Sequence, residues 1–185
     1  MKTLIINGSP KKNGDTAALI DELARHLSGE VRVISCSDDI SPCIDCRYCW
    51  THEGCAVKDG MQEIYDYLTD CDNVVLASPV WFSSLSGPAM NLTSHFQTYF
   101  ASRRFRNSPV QRKPKKGLIL LVGGNAGTEA HPLEVARMIL RMAGAAKDEI
   151  TSVVSMNTDE VPAKADSAAL DEIRKEAIRL NQAIR

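Results

Sequence analysis

Four cysteines lie close together in the first third of the chain, in a spacing that could support metal or redox chemistry. Cys43, Cys46, Cys49 and Cys55 follow the pattern C-x2-C-x2-C-x5-C. Three thiolates spaced two residues apart can surround one face of an iron–sulfur cubane, and a fourth can close the set. Zinc is an alternative, because four thiolates also form a closed tetrahedral site, although zinc sites more often use two separated pairs. A third interpretation is four thiols without a metal, including a redox-active pair.

The beginning of the chain combines an apolar run, a polar loop and the start of a helix. Residues 3–6 predict a buried strand, and Asn7-Gly8-Ser9-Pro10 favours a turn. Such a loop before a helix presents backbone N–H groups and the positive end of a helix dipole to an anion. The segment 11–16 (KKNGDT) has neither a Walker ending nor a GxGxxG pattern. We therefore predict a phosphate that is held and not transferred; the alternative is a strand–turn–helix without a ligand.

Two further loops contain residues suited to a flat aromatic ligand. The segment 79–84 (PVWFSS) places a rigid proline and two aromatic side chains after a predicted strand. The segment 123–127 (GGNAG) lets the backbone approach a ligand closely, because glycine has no Cβ atom. A phosphate-binding loop, a flat slot and a glycine loop together fit flavin mononucleotide (FMN). The alternative for the two aromatic residues is core packing.

Composition limits the function classes. The chain has 185 residues with a hydrophobic fraction of 44% and a net charge of -1, which predicts one domain over residues 1–185 and argues against a general nucleic-acid-binding protein. We find no apolar run of membrane-spanning length and no signal-peptide pattern, so no membrane association and a cytoplasmic location are expected. In that compartment the six cysteines are not expected to form structural disulfides.

Hydrophobic periodicity predicts five strands alternating with five helices, which is typical of an α/β, doubly wound parallel sheet. The strands are predicted at 3–6, 31–34, 73–77, 117–122 and 150–156, and the helices at about 15–28, 59–68, 88–100, 129–142 and near the carboxyl terminus. An irregular cysteine-containing loop is expected at 36–58. Ligands of such folds bind at the carboxyl ends of the strands, which is where all the loops described above begin.

These motifs resemble the NAD(P)H-dependent FMN reductase family, and within it the iron–sulfur flavoprotein branch. The resemblance covers about residues 2–127, and is carried by Gly8-Ser9-Pro10 with Thr16, by Ser78-Pro79-Val80-Trp81-Phe82, by Gly123-Gly124, and by the cysteine set followed by Lys58-Asp59-Gly60-Met61. It implies a flavodoxin-like fold, with a five-stranded parallel sheet in the order 2-1-3-4-5 and helices on both faces.

The resemblance also implies roles for individual residues. The first loop would bind the FMN phosphate, the second would line the isoalloxazine ring, and the glycine loop would close over the ring. The residues expected at FMN are Ser9, Lys11, Asn13, Asp15, Thr16, Pro79, Val80, Trp81, Phe82, Ser83, Gly123, Gly124 and Asn125. The four cysteines would hold a [4Fe-4S] cluster.

The expected activity is that of an FMN-dependent oxidoreductase that takes a hydride from NAD(P)H at flavin N5, with no catalytic side chain. Its partners would be a small electron acceptor, such as a quinone or a flavin, or a ferredoxin-like carrier, and the chain would form a homodimer or homotetramer. Two alternatives remain: a flavodoxin-like electron carrier that does not turn over pyridine nucleotide, and a zinc-stabilised binding module without flavin.

The chain departs from the family in ways that affect partners more than the flavin. Trp81 stands where relatives usually have tyrosine, and Met90 and Ser94-His95 stand where many have a lysine and an Asp-Arg pair. The run 103–116 contains seven basic residues and no acidic one. It could contact an acidic carrier or the 2′-phosphate of NADPH, but a solvated loop is the more common explanation.

Overall fold

The structure, a computed structural model, describes residues 1–36 and 39–184. Its centre is a parallel sheet in the order β2-β1-β3-β5-β6, with a short strand, β4, paired antiparallel to β3. The strands are β1 (Lys2–Asn7), β2 (Glu30–Ser35), β3 (Asn73–Trp81), β4 (Ser84–Leu85), β5 (Lys115–Gly123) and β6 (Ala145–Met156). The five parallel strands thus have the predicted order, and β4 is an addition that the sequence pattern did not reveal.

Helices cover both faces of this sheet. They are α1 (Asp15–His26), α2 (Tyr48–Thr51), α3 (Met61–Asp70), α4 (Gly87–Thr93), α5 (Gln97–Arg104), α6 (Ala130–Met142) and α7 (Ser167–Leu180), with 3₁₀ turns at Ser94–Phe96 and Ala163–Ala165. Among the described residues, none of these helices is long and apolar enough to span a membrane.

Alternation along the central strands divides the core between the two faces. In β1, Leu4 and Ile6 pack with α3 to α6 on one face, while Ile5 packs with α1 and α7 on the other. All three side chains are fully buried. Strands buried on both faces have continuous apolar sequences, which explains why the sequence predicted them well.

Local features correct several sequence expectations. The predicted helix at 88–100 is interrupted by the 3₁₀ turn at Ser94–Phe96 and continues to Arg104. The loop at 36–58 is not wholly irregular, because it contains α2; its residues 37 and 38 lie outside the described residues. The basic run is not simply a solvated loop, since Lys115 and Lys116 are buried at the start of β5.

Candidate functional site

The first loop joins β1 to α1 at the carboxyl edge of the sheet. Its conformation is stabilised by two local hydrogen bonds: the Ser9 N–H donates to Asn7 Oδ1 (3.0 Å), and the Lys11 N–H donates to Ser9 Oγ (3.3 Å). Gly8 lies close to α4, because a Cβ atom there would stand 2.5 Å from the Ala89 Cβ. Glycine is therefore required at position 8 for helix packing.

The backbone N–H groups at the end of this loop are available to a ligand. In the described part of the chain, the N–H groups of residues 13–16 donate no hydrogen bond to protein, and Gly14, the N-cap of α1, supplies no capping side chain. Free N–H groups at a helix amino terminus form an anion site, because they add to the positive end of the helix dipole. These N–H groups are the ones at which the sequence predicts a phosphate.

A buried serine network joins this loop to the one that follows β3. The Ser86 Oγ donates to the Gly8 carbonyl (2.6 Å) and accepts from the Ala89 N–H (3.1 Å), while the Ser86 N–H donates to Ser78 Oγ (3.0 Å). Both serines are fully buried, so these bonds are shielded from water and fix the relative position of the two loops. The sequence signal for Ser86 is a serine N-cap followed by Pro88 in the first turn of α4.

The three predicted loops enclose one cavity of about 420 Å³, which is within the usual range for small-molecule sites. Ten predicted residues line it: Ser9, Lys11, Asp15, Thr16, Pro79, Val80, Trp81, Gly123, Gly124 and Asn125. Trp81 is half-exposed, so its indole is accessible from the cavity. We call this cavity the flavin cavity, after the ligand that the sequence predicts for it.

The glycine loop fits against neighbouring side chains that leave no room for a Cβ atom. At Gly123 a Cβ would stand 2.6 Å from Met156 Cε, and at Gly124 it would stand 2.3 Å from Asp159 Oδ2. The two glycines thus serve packing within the loop as well as close approach to a ligand.

Three predicted residues lie elsewhere. Phe82 and Ser83 form the tip of the β3–β4 hairpin, outside the lining of the flavin cavity, and Phe82 is fully exposed. They lie outside the cavity lining because β3 extends to Trp81 and the chain then reverses direction in a two-residue turn. Asn13 lines an adjoining cavity of about 390 Å³. Asp15 lines the flavin cavity, but its Oδ1 accepts from the Ala163 N–H (2.8 Å).

Two residues that the sequence did not single out, Thr158 and Asp159, also line the flavin cavity. They follow β6, and the Thr158 N–H donates to the Gly123 carbonyl (3.0 Å). The rule that ligands bind at the carboxyl ends of parallel strands also predicts these two positions, because β6 ends at the same edge of the sheet.

The four clustered cysteines line a second cavity of about 50 Å³, which shares no lining residue with the flavin cavity. We call it the cysteine cavity. Cys43, Cys49 and Cys55 are partly buried, and Cys46 is exposed. The loop is attached to the helical layer by bonds from the Cys43 N–H to Ser94 Oγ (3.0 Å) and from Arg106 to the Cys49 carbonyl.

His95, one of the residues at which the chain departs from the family pattern, is a buried neighbour of the cysteine cavity. Its Nε2 faces the Ser41 carbonyl, and its Nδ1 lies 3.8 Å from Cys55 Sγ and 3.4 Å from the Tyr65 hydroxyl. Because a carbonyl can only accept, Nε2 must carry a proton. In the neutral ring Nδ1 is then an acceptor for Cys55 or Tyr65.

The thiols lie near one another, but they do not form a ready site for a single metal ion. Burial, and then the neighbouring Cys43, Cys55 and Cys46 thiols, raise the pKa of Cys49. Yet no group of three Cys, His, Asp or Glu side chains in residues 1–36 and 39–184 is arranged to hold a metal ion. A tetrahedral zinc needs sulfur atoms about 2.3 Å from one centre, whereas each thiolate on a cubane binds a different iron. The four thiols around one cavity are chemically a donor set that either group could use.

A larger and mainly apolar cavity, of about 590 Å³, lies between α6 and the α4–α5 region. It shares no lining residue with the flavin cavity. The available N–H donors and the glycine loop lie at the flavin cavity and not in this lining.

Comparison with solved structures confirms the fold. An NAD(P)H:quinone oxidoreductase from Methanothermobacter marburgensis superposes with a TM-score of 0.72 at 13% sequence identity, covering 100% of this chain and 98% of that one. The flavodoxin-like arrangement predicted from the sequence is thus correct in its five parallel strands.

Comparison of sequences decides the family. The family described as NADPH-dependent FMN reductase matches residues 1–157. The chain belongs to this family. The predicted resemblance is therefore confirmed, and the match extends beyond residue 127, where the motifs became weak.

Two relatives are named iron–sulfur flavoproteins, both from Methanocaldococcus jannaschii. One is 33% identical over 90 residues, which cover 46% of this chain and 47% of the relative. The other is 32% identical over 135 residues, which cover 70% of this chain and 66% of the relative. This chain thus spans about half to two thirds of the length of these two relatives.

Proposed function

We propose that this protein is an FMN-dependent oxidoreductase that accepts electrons from NAD(P)H and passes them to a small acceptor such as a quinone. The observation that carries the proposal is the set of N–H groups at residues 13–16, which donate to no described protein group and point to an anionic ligand. Family membership and the name of the structural neighbour, a quinone oxidoreductase, support the same activity, and the name of the relatives supports a bound flavin.

The cavity residues fit FMN in its chemistry. The N–H groups of residues 13–16, with Ser9 and Lys11, would hold the phosphate. Trp81 and Pro79 would form one wall of the ring slot, and Gly123 and Gly124 would allow the backbone to approach the ring. When bound, the flavin supplies the redox chemistry. The protein would orient the ring and limit the access of water to one face, so no side chain needs to act as a general acid or base.

The cysteine cavity would hold a [4Fe-4S] cluster through Cys43, Cys46, Cys49 and Cys55. Its role would be to pass single electrons between the flavin and a partner protein. Support comes from the spacing of the four thiols and from the names of the two relatives. His95 would hold Cys55 in position through Nδ1.

The decisive experiment mixes the purified, FMN-loaded protein with NADH or NADPH under anaerobic conditions while flavin absorbance is followed. We expect bleaching by at least one of the two nucleotides and recovery on adding a quinone. Binding of FMN without bleaching by either nucleotide would favour an electron carrier instead. A protein that binds no FMN would contradict the proposal altogether.

The cluster is tested by iron and zinc analysis after anaerobic reconstitution with iron and sulfide. We expect bound iron in the wild-type protein and its loss when Cys46 and Cys49 are both replaced by serine. FMN affinity should be unchanged in that variant, because the two cavities share no lining residue. The Cys71→Ala variant is the matched control, since Cys71 lies buried in the core. Zinc in place of iron would contradict the cluster.

A further inference from the structure

Asp159 occupies an unusual position in the wall of the flavin cavity. Its carboxylate lies against the Cα of Gly124: at the point where a Cβ would stand, Oδ2 is 2.3 Å away, Cγ 2.8 Å and Oδ1 3.0 Å. Any other residue at position 124 would displace this carboxylate. The absence of a side chain at Gly124 therefore determines where the negative charge lies.

This carboxylate has no protein partner in the described part of the chain. No hydrogen bond or ion pair joins it to another described residue. The other acidic residue in the lining, Asp15, is bonded to the Ala163 N–H at 2.8 Å. Among the described residues, the lining contains a single cation, Lys11, which belongs to the first loop. The charge of Asp159 is thus not neutralised locally.

We propose that Asp159 sets the reduction potential of the bound flavin by opposing the negative charge that the flavin acquires on reduction. This inference rests on the proposed function. On hydride transfer from NAD(P)H, the C4–H bond of the nicotinamide would break and an N5–H bond would form on the flavin. The electron pair would move with the hydride, so the products would be NAD(P)⁺ and an anionic reduced flavin. A fixed negative charge in the cavity wall raises the energy of the reduced state and leaves the neutral oxidised ring almost unaffected.

The consequence is a flavin that gives up its electrons more readily. Asp159 is exposed to solvent, which weakens its field, so we expect a moderate effect. Removal of the charge should favour reduction about tenfold, which for a two-electron couple corresponds to a rise of about 30 mV in midpoint potential. Asp159 would act through the electrostatic effect of its charge on the reduced flavin, without touching the reacting atoms.

The test is spectroelectrochemical titration of the FMN-loaded wild type, of Asp159→Asn and of Glu160→Gln. The Asp159→Asn side chain keeps the shape of the carboxylate, and Glu160 is an adjacent exposed acid outside the cavity lining. We expect the rise of about 30 mV for Asp159→Asn, none for Glu160→Gln, and a smaller difference at high salt because ions screen the charge.

The outcomes separate this inference from the function on which it rests. Equal potentials in FMN-loaded wild type and Asp159→Asn overturn the inference and leave the function standing. A larger dissociation constant for FMN in Asp159→Asn without a change in potential also overturns the inference, because that result indicates a purely structural role. Failure of the wild type to bind FMN would overturn the proposed function instead. If Asp159→Asn does not fold, Asp159→Ser provides a second uncharged variant.

Discussion

Two glycines allow close packing in the loops around the flavin cavity, because they have no Cβ atom. Gly124 packs against the carboxylate of Asp159, and Gly8 packs against Ala89. A glycine motif in the sequence suggests close approach to a ligand, but here it also permits approach between parts of the protein. The two roles are compatible, because a loop that packs tightly against its neighbours is fixed before a ligand arrives.

The Gly124→Ala substitution tests this packing. The added methyl group would stand 2.3 Å from Asp159 Oδ2, so this carboxylate must shift within the lining of the flavin cavity, and we expect FMN affinity to fall by about tenfold or more, which is ~1.4 kcal/mol. The measurement is fluorescence titration of the apoprotein with FMN. Gly87→Ala is the matched control, because a Cβ there meets no atom within 4 Å. Equal affinities for wild type and Gly124→Ala would refute the steric explanation.

A double substitution identifies the clash as the cause. In the background of Gly124→Ala, the change Asp159→Gly removes the atoms that the methyl group would meet. We expect the double variant to regain most of the lost FMN affinity, since residues in contact show strong coupling. Affinity that remains low would mean that position 124 acts through its backbone.

Among the elements, the β3–β4 hairpin has two consecutive non-glycine residues in left-handed backbone conformation. Val80 pairs with Leu85, and Trp81 pairs with Ser84, so only Phe82 and Ser83 form the turn. Both have positive φ values, of 50° and 55°. A two-residue turn with two positive φ values favours Asn-Gly, which adopts this conformation at low cost. Phenylalanine is poorly suited to it, and no hairpin signal was therefore visible in the sequence.

We expect the combined substitution Phe82→Asn, Ser83→Gly to stabilise the protein by ~1–2 kcal/mol, because left-handed backbone costs an ordinary residue about that much. The measurement is urea unfolding of the apoprotein. Phe82→Ala is the control: it removes the exposed ring and keeps an unfavourable residue in the turn, so it should not stabilise. An equal gain in both variants would show that ring exposure, and not backbone strain, is the source.

At the scale of the whole molecule, the helices on the two faces of the sheet support different loops and cavities. The α1–α7 face supports the first loop, between β1 and α1, while the face formed by α3 to α6 supports the cysteine cavity and the larger apolar cavity. On the first face, the buried Glu22 of α1 accepts from the Arg174 Nε of α7 at 2.8 Å and from Arg25 at 2.9 Å. This contact joins α1, the helix that follows the first loop, to the carboxyl-terminal helix α7.

Glu22 should contribute to the resistance of the fold to acid. Burial acts to raise its pKa, but the hydrogen bonds and charges of Arg174 and His26 outweigh burial and hold the pKa below its usual value. The unfolded chain therefore binds the proton more readily than the folded one. The stabilisation is present above the unfolded pKa of about 4.3 and is lost as pH falls through the lower folded pKa.

The Glu22→Gln substitution should therefore cost about 1 kcal/mol of unfolding free energy near pH 7, a value limited by the partial exposure of Arg174. The difference from wild type should shrink below about pH 4. Urea unfolding between pH 3 and pH 7 would measure it. Glu172→Gln is the control, since Glu172 pairs with Lys175 at the exposed surface. A difference that stays constant with pH would contradict the assignment.

The sequence alone determined the layers and the edge at which the ligand loops meet, while the order of the five parallel strands came from the resemblance to a known family. The layers and the edge depend on local patterns: apolar runs such as residues 117–122 form strands buried on both faces, and the loops between strands and helices all begin at the carboxyl edge. The strand, turn and helix start around the first loop could be predicted for the same reason, because they are adjacent in the chain.

Only the tertiary structure decided which side chains share a cavity. Asp159 lies beside Gly124 although 35 positions separate them in the printed chain, and His95 reaches Cys55 across the helical layer. Phe82 was expected at the ring, but a turn that its own side chain disfavours directs it into solvent. Such contacts arise from the packing of distant segments and from strain balanced elsewhere in the fold, which no local pattern of residues records.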